Sequence, residues 1–288
     1  MELQQRIIRL IQRNDTELPS LPVVVNKILD VASDENTTID QLAEIISYDQ
    51  GMTNKLLRLA NSVYYGQRTE VDSVRRAIAV IGFDEIIGIA LGMNVLSSLT
   101  DKESGLSLDM KALWIHSIGC ATAAKEIAAK IHPEISGKIF IPGLLHDMGK
   151  IILAVYFKDD YRKVRALAIE QQQPLFRVER TIFDLDHAVL SGLLMKRWQF
   201  PDHILYPSRY HHNPAACPSA YQEYALIINL ANYICHKANI GHSGNPMSVA
   251  VKNSTRKAGI NEIALKLILD QIRIKEDQIK TFFNITTD

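Results

Sequence analysis

The chain has 288 residues, 47% of them hydrophobic, and its 32 lysines and arginines are balanced by 32 aspartates and glutamates. That is enough apolar material for one large core or two smaller ones, and a net charge of zero excludes any general pull toward nucleic acid or an anionic membrane. The three cysteines, Cys120, Cys217 and Cys235, are odd in number and far apart without a C-x-x-C pair, unlike a disulfide scaffold or a structural zinc site.

Helical periodicity runs through most long segments, so the fold class expected is all-α. The first helix is expected over residues 2–13; charges throughout it exclude a signal peptide. After Leu18-Pro19-Ser20-Leu21-Pro22 comes a second helix carrying Val23, Val24, Ile28, Leu29 and Val31. Thr38 and Gln41 have the spacing of a capping box, opening a helix that buries Ile39, Leu42, Ile45 and Ile46. Asp49-Gln50-Gly51 reads as a turn before a helix with Leu56, Leu57 and Leu59. Residues 38–62 thus resemble a helix–turn–helix, but Lys55 and Arg58 are the only basic residues of its second helix, so nucleic acid is not expected as a partner. Ser73 caps a helix Val74–Ile81 that Gly82 stops, and Asp84 caps the apolar helix that follows. The stretch Ile86 to Leu99 is too short to span a membrane and contains Asn94, so it reads as a buried helix. A cytoplasmic location is expected, with Cys120 and Cys235 as buried thiols.

The polar residues 100–105 mark a subdomain junction. About five helices are expected from there to residue 239, then a loop at 241–246 and one tail helix near 261–282 carrying Ile263, Leu265, Leu267, Ile268 and Ile272. Within the second half, Pro142-Gly143-Leu144-Leu145-His146-Asp147-Met148-Gly149-Lys150 sets an adjacent His and Asp into an apolar helix. A buried carboxylate needs a cation or strong donors, and a metal ion is one such cation. His116 lies among the small residues Gly119, Cys120, Ala121 and Ala123; His187 is followed by Leu190, Leu193 and Leu194; His211 and His212 precede Asn213-Pro214. Asn229, Asn232 and His236 share one face of an apolar helix. Taken singly, each histidine is more simply a hydrogen-bonded core or surface residue; His132, His203, His236 and His242 are read that way.

The order His116, His146-Asp147, His187, His211-His212 resembles the HD superfamily of metal-dependent phosphohydrolases. Leu18-Pro19-Ser20-Leu21-Pro22, Leu42-Ala43-Glu44-Ile45-Ile46, Leu56-Leu57-Arg58-Leu59-Ala60-Asn61-Ser62 with Tyr65-Gly66, and Ala77-Ile78 to Ile81-Gly82 make the chain similar, over about residues 15–240, to the HDOD family of helical signalling domains. The resemblance implies a multi-helix fold with two helical subdomains, 1–100 and 106–240; the C-terminal loop and helix at 241–288 lie outside it. It implies metal ligands at His116, His146, Asp147, His187, His211 and His212, for one or two divalent ions such as Fe, Mn, Zn or Ni. Lys150 matches the lysine of the HD-x-G-K motif; if the chain is active, Asp147 and Lys150 are its catalytic residues. The chain departs from the pattern at Asn232, where the superfamily's last aspartate falls: an amide keeps the shape but loses the charge. No G-Y-P loop follows His211-His212.

A weakened ligand set on an intact scaffold favours a non-catalytic signalling module with protein partners in trans. The alternatives are a metal-dependent phosphohydrolase acting on a nucleotide or phosphodiester, and a nucleotide sensor without turnover. Apolar faces on residues 1–14 and on the tail helix leave a homodimer open.

Overall fold

The computed structural model describes residues 2–12, 18, 21–34, 36–100, 106–249 and 251–287. Among these there are only helices, turns and loops. The first half holds α1 (Glu2–Gln12), α2 (Val23–Ser33), α3 (Ile39–Ser47), α4 (Gln50–Ala60), α5 (Val74–Ile81) and α6 (Phe83–Thr100). The second holds α7 (Met110–Ile131), α8 (Phe140–Leu145), α9 (Met148–Tyr156), α10 (Lys158–Glu170), α11 (Leu175–Phe183), α12 (His187–Arg197), α13 (Asp202–Tyr210) and α14 (Gln222–Ala238). Three more follow: α15 (Lys252–Lys257), α16 (Glu262–Ile274) and α17 (Glu276–Thr287). Residues 101–105 of the expected junction and residue 13 of the expected first helix lie outside the described residues.

Local signals account for many of the ends. The Thr38–Gln41 capping box forms reciprocally, with the Thr38 N–H donating to Gln41 Oε1 at 2.8 Å. Ser73 caps α5, and Gly82 ends it at φ +104°. Two expectations are corrected. Asp49 is not a turn residue but the N-cap of α4, accepting from the Met52 N–H, with Gly51 already inside the first turn. Asp84 sits in the first turn of α6, where its charge meets the positive end of the helix dipole, and is not its cap.

The second half has eight α-helices to Ala238, more than the five expected, because Pro174, Pro201 and the His146-Asp147 joint break runs that periodicity alone would join. The tail is likewise three helices. Ile268 and Ile272 of α16 turn inward, but Ile263 is 73% and Leu267 60% exposed, so the expected apolar face is only partly buried. Ile39 of α3 is exposed too.

α7 is the central strut, with α14 and α8 packed on it and α6 lying across α8. One apolar cluster runs from Ile7 of α1 to Ile285 of α17. α17 packs on both α4 and α7. α1 crosses to α11 and α12, where the Arg197 guanidinium donates to the carbonyls of Leu10 and Ile11 at 3.1 and 2.6 Å. Both chain ends are therefore tied to distant sequence. No single helix is long and apolar enough to cross a membrane among the described residues.

Candidate metal centre

His146 and Asp147 lie in the joint between α8 and α9, not within one helix as the sequence suggested. In a continuous helix, neighbours diverge by about 100° and do not face one another. The break allows both side chains to be buried and to come together, His146 Nε2 lying 3.3 Å from Asp147 Oδ2. Gly149 brings α12 against this joint: a Cβ there would lie 2.1 Å from the His187 carbonyl oxygen. The Gly149 N–H donates to Ser191 Oγ at 2.8 Å, and that hydroxyl lies 3.0 and 2.9 Å from the carbonyl oxygens of His146 and His187. His187 is thereby delivered to Asp147, its Nε2 3.2 Å from Oδ1.

Each imidazole is held from behind. His146 Nδ1 donates to the Gly143 carbonyl at 2.8 Å and His211 Nδ1 to the Ser208 carbonyl at 2.7 Å. That leaves the Nε2 lone pair of each facing inward, the arrangement of a ligating histidine. His187 Nδ1 is held by Glu179 Oε2 at 2.5 Å; the same oxygen accepts from the His187 backbone N–H, and the Tyr161 hydroxyl donates to Oε1 at 3.3 Å. His116 Nδ1 lies 3.3 Å from the Ile240 carbonyl. Gly241, at φ +58°, lets the chain after Ile240 press on α7, where a Cβ would meet the Ala112 carbonyl oxygen at 2.3 Å.

The centre is buried, with His146 and His211 at 0% and Asp147, Lys150, His187 and His116 at 1% exposure. Burial alone would raise the Asp147 pKa, but His146, Lys150 and His187 around it hold the carboxyl well below its usual range. Burial, then the neighbouring histidines, push His211 and His212 well below the ordinary histidine value, so both are neutral bases at pH 7. His187 goes the other way. Burial would lower it, but Glu179 and Asp147 lift it to about 9. A protonated His187 can donate from Nε2 to neutral His212 Nε2, 2.9 Å away. An ion bound there would displace that proton.

His146 Nε2, Asp147 Oδ1 and His211 Nε2 have no hydrogen-bond partner, although all three are buried. Orphaned buried polar atoms are costly and rare, and the three residues each offer a ligand atom within 4.8 Å of the others. His187, His211 and His212 form a second such group, and His116, Cys120 and His146 a third. The donor set therefore fits a divalent ion: inward lone pairs, a charged carboxylate, and carbonyl or carboxylate support behind each ring. His146 has one free lone pair and so serves one ion only.

All the expected ligands converge here. Asn232 does too, its Oδ1 3.1 Å from His116 Nε2. With Nδ1 donating to Ile240, neutral His116 accepts at Nε2, which places the Asn232 NH2 group toward the ring, since an amide's oxygen and nitrogen are assigned from their partners. Lys150 is not free to meet a substrate: its Nζ donates to Asp147 Oδ2 at 2.7 Å. Glu179, Ser191 and Cys120 were not picked out by the sequence pattern. Glu179 is one charge in an amphipathic helix, eight residues before the histidine it supports. His236, read as structural, has its ring 4.9 Å from that of His116, with Nε2 3.0 Å from Ser243 Oγ.

The HDOD domain family model matches residues 18–214, more than half of the chain. The chain belongs to the HDOD family. A candidate signal transduction protein from Marinobacter aquaeolei VT8 superimposes with a TM-score of 0.82 at 21% identity, over 100% of this chain and 65% of that one. An HDOD domain protein with unknown function from Geobacter sulfurreducens gives 0.79 at 23%, covering 98% and 96%. A candidate phosphohydrolase from Shewanella amazonensis SB2B gives 0.75 at 20%, covering 97% of each. In sequence, an uncharacterized protein of Treponema pallidum (strain Nichols) is 21% identical over 238 residues, 81% of this chain and 45% of that protein. The HDOD chain thus spans under half of the Treponema relative and under two thirds of the Marinobacter one. The superpositions establish a shared helical fold.

Proposed function

We propose that this HDOD chain is a non-catalytic signalling module, acting on protein partners, whose HD residues form a sealed metal centre that braces α7, α8, α9, α12 and α13. The burial of the centre supports this reading. Asp147 and Lys150, the two residues that would have to act on a phosphate, are each 1% exposed and are bonded to one another. Neutral His211 and His212, anionic Asp147, and His187 held by Glu179 would hold one ion, and His116 with His146 a second. Such an ion supplies positive charge to the buried carboxylate and, to any phosphate that reached it, Lewis acidity.

A ligand-sensing form of the module has its own support. A surface cavity of about 290 Å³, lined in part by His236, Lys237, Asn239, His242, Asn245 and Ser248, opens on the loop after α14. That is near the lower end of small-molecule sites, with polar groups suited to a phosphate-bearing ligand such as a nucleotide. A ligand there changes signalling only by binding two conformations unequally.

The decisive experiment measures metal per chain in tag-free protein, beside Asp147→Ala, and then incubates metal-loaded protein with a generic phosphodiester and a nucleotide panel. Bound metal, absent from the variant, with no hydrolysis is the expected result. Metal-dependent turnover abolished by Asp147→Ala would replace this reading with the phosphohydrolase one. Thermal shift across the same nucleotides checks the sensing form, which fails if no nucleotide changes the melting temperature.

A further inference from the structure

Asn232 places an uncharged amide beside His116, and an acid stands within reach of the same ring nitrogen. Cys120 lies one turn along α7, with Sγ 3.3 Å from His116 Nε2. It is fully buried, as is Cys235 of α14, which is close enough to hydrogen-bond it. His116, Cys120 and His146 each offer a ligand atom within 4.8 Å of the others. A tetrahedral ion with bonds of about 2.0 Å to nitrogen and about 2.3 Å to sulfur sets N and S about 3.5 Å apart, near the separation seen here. The second indication is His146 Nε2, wholly buried, without a partner, and directed into the same space.

We propose that Cys120 supplies the anionic ligand that position 232 no longer provides, so that one ion of the centre is held by His116, His146 and a Cys120 thiolate. This rests on the metal-centre reading above and adds to it the class of metal. A thiolate with two imidazoles selects zinc or another borderline-to-soft ion over manganese or magnesium. Binding balances without redox chemistry: the Cys120 S–H bond breaks, its electron pair forms the S–metal bond, and the proton leaves to solvent. The rival is an ordinary S–H···N hydrogen bond to His116, to which metal binding is indifferent.

The test loads the full metal-free chain with Co(II) under reducing, oxygen-free conditions and records its near-ultraviolet spectrum. A thiolate ligand gives a sulfur-to-cobalt charge-transfer band that nitrogen and oxygen ligands lack. The band is expected in the wild type and lost in Cys120→Ser, and retained in Cys235→Ser and Cys217→Ser. Bound cobalt without the band overturns the thiolate assignment and leaves the metal centre standing. A band that survives in Cys120→Ser overturns the assignment as well. Failure of the wild type to bind cobalt or zinc at all overturns both readings. Cys120→Ala, which buries no hydroxyl, serves as the second variant if Cys120→Ser does not fold.

Discussion

Two buried polar clusters meet along α7, and they are solved in opposite ways. Toward the C-terminal part of the helix, Tyr64 and Thr122 share a hydrogen bond of 2.8 Å, the Tyr65 hydroxyl donates to Glu85 Oε1 at 2.9 Å, and Lys125 pairs with Glu85. Burial raises the Glu85 pKa, with Lys125 acting against it, and both carboxylate oxygens have donors. At His146, Asp147 and His211 the protein has gathered more donors and acceptors than it can pair. A satisfied network needs no guest and acts as a joint between the two halves. An unsatisfied one, buried more deeply, is built for something that brings charge.

Removing the carboxylate from each cluster gives the largest contrast. Asp147→Ala leaves the Lys150 ammonium buried and unpaired, and should cost about 3–5 kcal/mol by urea unfolding. Glu85→Ala should cost less, about 1–3 kcal/mol for an unpaired Tyr65 hydroxyl, because the Lys125 side chain is 40% exposed and can turn to water. Equal losses at the two sites would show that the centre is an ordinary ion-pair network.

Support from behind the ligands comes next. Glu179→Gln should lower metal affinity by about 10–100-fold in titration calorimetry while the helical circular dichroism is unchanged, since the carboxylate orients His187 without ligating. The comparable change at the other cluster, Tyr65→Phe, should leave metal affinity where it was.

Asn232→Asp restores charge where the sequence departs from the HD pattern. Divalent-ion affinity should rise by roughly tenfold, about 1.4 kcal/mol, read by the same calorimetry. Metal-free stability should fall, because a further carboxylate is then buried. No gain in affinity would mean that the ion lies away from His116.

The smallest effect is on pH dependence in metal-free protein, where two histidines act with opposite sign. Burial, aided by Lys138, lowers His203 to about 4, below its value of 6.5 in an unfolded chain. Its contribution is present above pH 6.5 and is lost as the pH falls toward 4, because the unfolded state takes up the proton first. His187, raised to about 9, contributes fully below pH 6.5 and loses that contribution as the pH rises through 9. His203→Gln should flatten only the acid limb of the stability profile, and Glu179→Gln only the alkaline limb.

Much of this was legible in the sequence. The capping box at Thr38, the stop at Gly82 and the buried run Ile86–Met93 rest on local rules, which hold because capping and periodicity depend on residues a few positions apart, whereas the order of the HD histidines was legible only through its resemblance to a known family. The same locality explains what was missed: a periodic pattern cannot show where a helix breaks without proline, as at His146-Asp147, nor which of two apolar faces on α16 finds a neighbour.

The sequence by itself determined the helical class, a property of residue type and spacing, and its resemblance to the HDOD family named every histidine ligand candidate. Tertiary structure alone decided that Glu179 stands behind His187, that Cys120 stands beside His116, and that Lys150 is committed to Asp147. Those partners converge from α7, α9, α11 and α12 once Gly149 allows α9 and α12 to touch. Such proximity arises from packing between helices that are distant in the chain, and it leaves no periodic trace in the order of residues.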